Sequence, residues 1–247
     1  MNKRVTVFKR FIFLFGVYLV AQILSAFVWQ VIFKQADSTI FSNMVVGLSL
    51  LIFIGKFYQV ELLGQHDSKL GVACVAIGLI ITLFLNNDLN HLAGNIPKLE
   101  SIMLSSLGTA LFEESIFRVV TIFLISSILV YSAKKLYFEI YLSAVIFGLA
   151  HFLNMLNVQQ DFAQTAIQTL YAFCLGTIFA ISYLATKNIL YAILIHFLAD
   201  TIAVLLSSTV ITNIPITPMN MITLVLALVV MGIFNWFVLH NMDLVAE

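Results

Sequence analysis

Three ionisable residues interrupt a long apolar stretch near the middle of the chain: the adjacent carboxylates Glu113 and Glu114, followed by Arg118. A charge at a bilayer centre costs roughly 2.5–3.5 kcal/mol on insertion scales, so such residues are kept only when paired, hydrated or used. Glu114 and Arg118 have i, i+4 spacing with the acid first, the favourable order for a pair on one helix face. Glu113 lies about 100° around the helix. The spacing predicts that Glu114 is neutralised and that Glu113 is available for chemistry.

Two later apolar segments also carry groups that are rare in lipid. One contains His151, four residues after Phe147, and the other contains His196 and Asp200, again four residues apart. At this spacing the carboxylate of Asp200 can hold an imidazole nitrogen of His196 and set its tautomer. Small residues flank these positions and allow helices to approach closely. They are Gly108, Ala110, Ala144, Gly148, Ala150 and Ala199. We therefore expect the ionisable groups of the three segments to meet in one place.

These residue types allow two routes to the hydrolysis of an acyl bond. In the first, a glutamate and a histidine deprotonate a water, and a second histidine donates to the oxyanion that forms. In the second, Glu113, His151 and His196 bind a divalent metal such as Zn²⁺ and leave one position open for water. The residues alone leave this choice open. The sequence has no HExxH and no Gly-x-Ser-x-Gly motif, so zincin and serine-hydrolase chemistry lack local support.

The composition places these groups in a membrane protein. The chain is 62% hydrophobic and only 10% charged, with a mean hydropathy of +1.06, whereas soluble domains are about half apolar and a quarter charged. The formal net charge is zero, and no basic arm with interleaved aromatic residues is present, so nucleic-acid binding is not expected. The lipid bilayer is the expected surrounding of the chain. A third polar cluster, Gln164, Gln168 and Tyr171, is a candidate lining of the same site.

The apolar stretches predict an all-α, polytopic helical bundle that forms one integral membrane domain over residues 1–247. About 20 apolar residues cross a bilayer, and on that rule eight spans are expected. They cover 11–33, 39–58, 70–87, 101–131, 137–157, 163–185, 188–208 and 217–240. With the N-terminus inside, nine Lys and Arg residues fall on the inner side and two on the outer side, as the positive-inside rule requires. We therefore expect a multi-pass protein of the cell membrane with both termini cytoplasmic.

The order of these motifs resembles the CPBP intramembrane protease family, which includes CAAX prenyl endopeptidases and bacterial proteins of bacteriocin processing or self-immunity. The motifs are Glu113-Glu114-x-x-x-Arg118, Phe147-x-x-x-His151 and His196-x-x-x-Asp200. The resemblance covers residues 100–205, the protease-like core. It implies an endopeptidase, of glutamate or metallo type, that acts on peptide or protein substrates in or at the membrane.

The resemblance also implies roles for individual residues. Glu113 and His151 would activate the water, and His196 and Asp200 would lie at the oxyanion side, while the pair of Glu114 with Arg118 would be structural. An ionised Asp200 only accepts hydrogen bonds, so we expect it to act by orienting His196. Two other functions stay open: a catalytically inactive member acting as a membrane scaffold or immunity protein, and a proton-coupled transporter, because buried Glu, His and Asp sets also mark ion pathways.

Overall fold

The computed structural model describes residues 3–28, 30–31, 39–86, 92–129, 134–157, 161–206 and 218–243. Eleven α-helices are present within these ranges: α1 (Lys3–Val28), α2 (Thr39–Tyr58), α3 (Ser68–Leu85), α4 (Leu92–Asn95), α5 (Leu99–Glu114), α6 (Thr121–Ile128), α7 (Lys135–Ala150), α8 (Asn154–Asn157), α9 (Phe162–Thr186), α10 (Ile189–Leu206) and α11 (Pro218–Asp243). A π-helix over Ser115–Val120 joins α5 to α6, and a 3₁₀ turn over His151–Leu153 follows α7. The all-α fold class is confirmed.

Seven of these helical segments are long and apolar enough to cross a membrane, so the polytopic bundle is also confirmed. They are Lys9–Val28, Thr39–Tyr58, Ser68–Leu85, Lys135–Leu153, Phe162–Thr186, Ile189–Leu206 and Met221–Asn241. The remaining predicted span, 101–131, is helical from Leu99 to Ile128, but the π-helix divides it into shorter pieces. The predicted span ends at 32–33, 87, 130–131, 207–208 and 217 lie outside the described residues.

Side-chain caps fix several helix ends. The Asp67 carboxylate accepts a hydrogen bond from the Leu70 backbone N–H at the start of α3, and Asp161 does the same for Gln164 at the start of α9. Each acid thereby satisfies one of the backbone donors that a first helical turn leaves unpaired. At the other end of α9, Lys187 adopts a left-handed conformation with φ of 53°, which stops the helix and turns the chain into α10.

Helix α9 forms the centre of the bundle. In its most apolar stretch 72% of the residues are buried, compared with 17% in α1. It packs against α3, α7, α10 and α11, whereas α1 presents large apolar side chains such as Phe11 and Ile23 at the surface. Exposed apolar side chains suit a lipid surrounding. The helices that carry the ionisable motifs therefore pack around a protein core, with the most lipid-like surface on the first helix.

Two glycines allow close helix contacts: Gly148, which the sequence predicted, and Gly47, which it did not. A Cβ on Gly148 would lie 2.9 Å from the Thr169 carbonyl oxygen, across the contact of α7 with α9. A Cβ on Gly47 would lie 2.7 Å from the carbonyl oxygen of Leu111, across the contact of α2 with α5. Real Cβ atoms do not approach backbone so closely, so a larger residue would push these helices apart. The second contact lies two residues before Glu113 and sets the position of the acidic end of α5.

Candidate active site

The acidic pair lies where α5 gives way to the π-helix. Glu114 is the last residue of α5, and the Thr121 backbone N–H reaches back five residues to the Ile116 carbonyl. The Ser115 hydroxyl lies 3.0 Å from the Gly47 carbonyl oxygen and 2.6 Å from that of Leu111, and so ties this point to α2. π-Helical turns occur mostly as short insertions, frequently at functional sites. The wider turn begins directly after the two carboxylates.

Glu114 and Arg118 form the ion pair that their spacing predicted. Nε of Arg118 donates to Oε2 of Glu114 at 3.0 Å, and both side chains are fully buried. The guanidinium also lies over two aromatic rings, at 4.7 Å from the Phe147 centroid and 5.4 Å from that of Phe179. Cation–π contacts of this kind are strongest away from water. The buried guanidinium needs such compensation, since removing a charged group from water costs on the order of several kcal/mol.

His196 binds Glu114, a contact that the sequence did not predict. The Nδ1 atom lies 2.8 Å from Oε1 of Glu114, and a carboxylate paired with Arg118 is an acceptor, so Nδ1 is the donor. We expected Asp200 to hold the imidazole, and its Oδ2 does lie 3.5 Å from the other ring nitrogen, Nε2. The shorter contact comes from a different helix. Helix α10 packs directly on α5, and a contact between helices cannot be read from spacing within one of them.

Glu113 approaches the same imidazole from the other side. Its Oε2 lies 3.7 Å from Nε2 of His196. Its side chain is 25% exposed and that of Asp200 is 29% exposed, whereas Glu114 is completely buried. Glu113 and Asp200 are thus the carboxylates of this cluster that solvent can reach. Glu113 forms no hydrogen bond or ion pair with His151 in the described part of the chain.

His151 sits on the 3₁₀ turn that ends α7, and its ring is oriented by its own helix. Nδ1 lies 3.0 Å from the Phe147 carbonyl oxygen, which can only accept, so Nδ1 carries the proton. In the neutral ring Nε2 is then the basic nitrogen. The Phe147 ring packs edge-on against both imidazoles, with centroids 5.0 Å from His151 and 5.7 Å from His196. Phe147 therefore positions both histidines, one through its carbonyl and both through its ring.

A cavity of about 100 Å³ joins the two histidines. Its lining includes His151, His196 and Asp200 but not Glu113, whose Oε2 lies 3.7 Å from Nε2 of His196. A single water needs about 10–15 Å³ on this kind of measure, so the cavity has room for several. The structure thus brings both predicted imidazoles and one carboxylate to a common space that water can fill.

The cavity also contains residues that the sequence reasoning assigned no role. Thr82 and Asn86, near the end of α3, form part of its wall. The only sequence signal for them was a pair of polar side chains four residues apart at the end of an apolar span. Of the three candidate lining residues on α9, Gln168 and Tyr171 line the cavity, whereas Gln164 is not part of the lining.

The predicted zinc ligands were Glu113, His151 and His196. Among the described residues, no three His, Cys, Asp or Glu side chains are arranged to hold a metal ion. Nδ1 of His196 is occupied by Glu114, and Nδ1 of His151 by a backbone carbonyl, so each ring could offer only Nε2. The zinc interpretation stays a prediction, and the chemistry proposed for the site uses its side chains alone.

The fold and the site together define a polytopic membrane protein with a buried acid–imidazole centre that faces a small cavity. A family described as type II CAAX prenyl endopeptidase Rce1-like matches residues 95–202. This stretch contains all three motifs, and the match confirms the resemblance to the CPBP intramembrane proteases: over these residues the chain is similar to a CAAX-type intramembrane endopeptidase. A comparison with curated proteins and one with solved structures gave no match.

Proposed function

We propose that the protein is an intramembrane endopeptidase that hydrolyses peptide bonds of membrane-associated or peptide substrates. The observation that carries the proposal is the water-sized cavity lined by His151, His196 and Asp200, within the stretch that is similar to CAAX endopeptidases. His151, which lines the cavity, and Glu113, which lies 3.7 Å from Nε2 of the lining residue His196, are the proposed bases that activate the water. Glu113 is suited to this role because it is partly exposed and, within the part of the chain that the structure describes, forms no ion pair except with His196.

The reaction needs a proton acceptor, an electrophile and a donor to the leaving group. The water oxygen attacks the carbonyl carbon of the scissile peptide bond, and its proton passes to Glu113 or to Nε2 of His151. The tetrahedral intermediate collapses, the C–N bond breaks, and the same proton moves to the leaving amine nitrogen. One water is consumed, and a carboxyl and an amino group are produced.

His196 is proposed to stabilise the oxyanion. Its Nδ1–H is fixed by Glu114, so it donates to substrate through Nε2 when the ring carries two protons. Three carboxylates surround this ring, and Arg118 alone offsets one of them, so a protonated imidazole also balances the local charge. Asp200 holds the Nε2 side of the ring, and Glu114 with Arg118 supports it from behind.

The proposed setting is the cell membrane, with both termini cytoplasmic. The seven apolar helices support a bilayer-embedded protein, and the distribution of Lys and Arg supports this orientation. A peptide or protein in or at the membrane is the proposed substrate. Bacteriocin processing or self-immunity is one biological role consistent with such a substrate.

The test is peptide cleavage by the purified protein in detergent, using a prenylated CAAX peptide and a bacteriocin leader peptide, each with and without a chelator. Glu113→Gln and His151→Ala are expected to abolish cleavage while the variants still accumulate in the membrane. Glu139→Gln is the matched control, because this buried carboxylate pairs with Lys135 on α7, outside the cavity. It should cleave at the wild-type rate.

The outcomes separate the alternatives. Near-normal turnover by either active-site variant would refute the roles of Glu113 and His151. If the wild-type protein cleaves neither peptide, the inactive scaffold or the proton-coupled transporter becomes the better explanation. Loss of cleavage with a chelator, restored by Zn²⁺, would favour the metal route over the glutamate route.

A further inference from the structure

A tyrosine that lines the cavity has a hydroxyl without a hydrogen-bond partner among the described residues. Tyr171 lies on α9 and lines the cavity together with His151, His196 and Asp200. Its hydroxyl oxygen is buried and forms no hydrogen bond within the described ranges. Leaving a buried polar group unpaired costs roughly 1–3 kcal/mol, and tyrosine hydroxyls in buried positions usually find a partner. Because no described residue pairs with this hydroxyl, a group bound in the cavity is the candidate partner.

Three neighbouring polar side chains of the wall each form a hydrogen bond within the protein. The Asn86 side-chain amide donates to the Thr82 carbonyl, and the Thr82 hydroxyl donates to the Gly78 carbonyl. The Gln168 side-chain oxygen accepts a hydrogen bond from Asn154. Tyr171 is the one lining residue, in the part of the chain that the structure describes, with a buried side-chain oxygen or nitrogen that lacks a partner.

Two of the groups that line the cavity are acceptors. Asp200 only accepts when ionised, and the neutral His151 ring presents an acceptor nitrogen because its Nδ1–H is bound to the Phe147 carbonyl. A peptide in an extended conformation offers carbonyl oxygens, which need donors. A phenol hydroxyl is a donor that stays protonated at neutral pH.

We propose that Tyr171 binds the substrate by donating a hydrogen bond from its hydroxyl to a backbone carbonyl oxygen of the peptide in the cavity. This inference rests on the proposed endopeptidase function. It adds a substrate-binding residue on α9 to the residues of α5, α7 and α10. The contact is present in the bound substrate as well as during the reaction, so it contributes mainly to binding rather than to the chemical step.

The test is Tyr171→Phe, which removes one oxygen and keeps the ring. Loss of one neutral hydrogen bond changes an equilibrium by roughly three- to tenfold. We expect KM for the prenylated CAAX peptide, or for whichever of the two probe peptides is cleaved, to rise by that factor with little change in kcat. The thermal stability of the free protein should be unchanged or higher, because the variant no longer buries an unpaired hydroxyl. Tyr191→Phe, on α10 beside Gly71, is the matched control and should leave both constants unchanged.

A second measurement keeps binding separate from cleavage. In a Glu113→Gln background, the dissociation constant of the same peptide should rise roughly three- to tenfold when Tyr171→Phe is added. The inference would be overturned if the wild-type protein cleaves the peptide and Tyr171→Phe changes neither KM nor the dissociation constant. The proposed function would then remain intact. A loss of stability in Tyr171→Phe, matched by its loss of activity, would also overturn it, since the hydroxyl would then be structural. Absence of cleavage by the wild-type protein is instead the failure of the proposed function.

Discussion

The substitution Glu114→Gln tests whether the buried cluster of Glu114, Arg118 and His196 holds the bundle together. Glu114 accepts from Nε of Arg118 at 3.0 Å and from Nδ1 of His196 at 2.8 Å, and neither it nor Arg118 is exposed. The neutral amide leaves the guanidinium buried without a counter-charge at that position. Removing one partner of a buried ion pair costs roughly 3–5 kcal/mol, a large part of the stability of a typical domain.

The magnitude follows from burial rather than from the ion pair as such. Glu139→Gln breaks another i, i+4 pair, with an N–O distance of 3.5 Å, but Lys135 keeps 39% of its side-chain exposure. A pair whose cation remains hydrated is worth about 0–1 kcal/mol. The two substitutions are chemically identical, so the difference between their effects measures the cost of an uncompensated charge in the core.

The assay is equilibrium unfolding in mixed micelles, with membrane abundance as a second readout. We expect Glu114→Gln to lose several times more stability than Glu139→Gln. Combined with Arg118→Met, it should lose less than the sum of the two single changes, with a coupling of about 1 kcal/mol or more. Equal losses for the two glutamine variants, or strict additivity in the double-mutant cycle, would refute the assignment of a structural ion pair.

Three further predictions concern packing, the site and the surface. Gly148→Ala should destabilise the protein, because its new Cβ meets the Thr169 backbone at 2.9 Å. Gly232→Ala, whose new Cβ has no described atom within 4 Å, should instead be neutral or stabilising by about 0.5–1 kcal/mol. Thermal unfolding compares the two variants. Phe147→Leu should lower kcat for peptide cleavage, because both imidazoles lose the aromatic ring that packs edge-on against them. An unchanged kcat would contradict the role of Phe147 in positioning the histidines. Burial lowers the pKa of the Lys187 ammonium from 10.5, so its charge opposes folding at neutral pH, and stability rises as the pH increases towards 10.5. Lys187→Gly should therefore raise the melting temperature at pH 7, and part of this increase over the wild type should disappear at high pH. Gln59→Gly, which relieves the same φ of 53°, is the control, and its effect on the melting temperature should not depend on pH in this way.

Sequence reasoning succeeded where the interaction is local. The pair of Glu114 with Arg118 lies about one helical turn apart, so its spacing alone predicts it. The apolar stretches predict seven of the candidate spans in the right order, but the eighth expected span, 101–131, is divided by the π-helix. The contact of His196 with Glu114 depends instead on how α10 is rotated against α5. The part of the cavity wall on α3 could not be predicted for the same reason. The polar residues at the end of that helix face the cavity only because α9 and α10 pack against it. The π-helix was not predicted, since the spacing of Glu114 and Arg118 fits a regular α-helix and no Pro or Gly marks residues 115–120.

The π-helix has a consequence for comparing or engineering this chain. Over its whole length it contains about one more residue than an α-helix that spans the same distance, so every side chain after it faces about 100° away from the direction that regular winding would give. A one-residue deletion within 115–120 would let the backbone adopt a regular α-helix and would rotate all of α6 about its axis. This would happen even if the deletion removed no functional side chain. Threading or redesign of this segment must therefore preserve its length as strictly as its acidic residues.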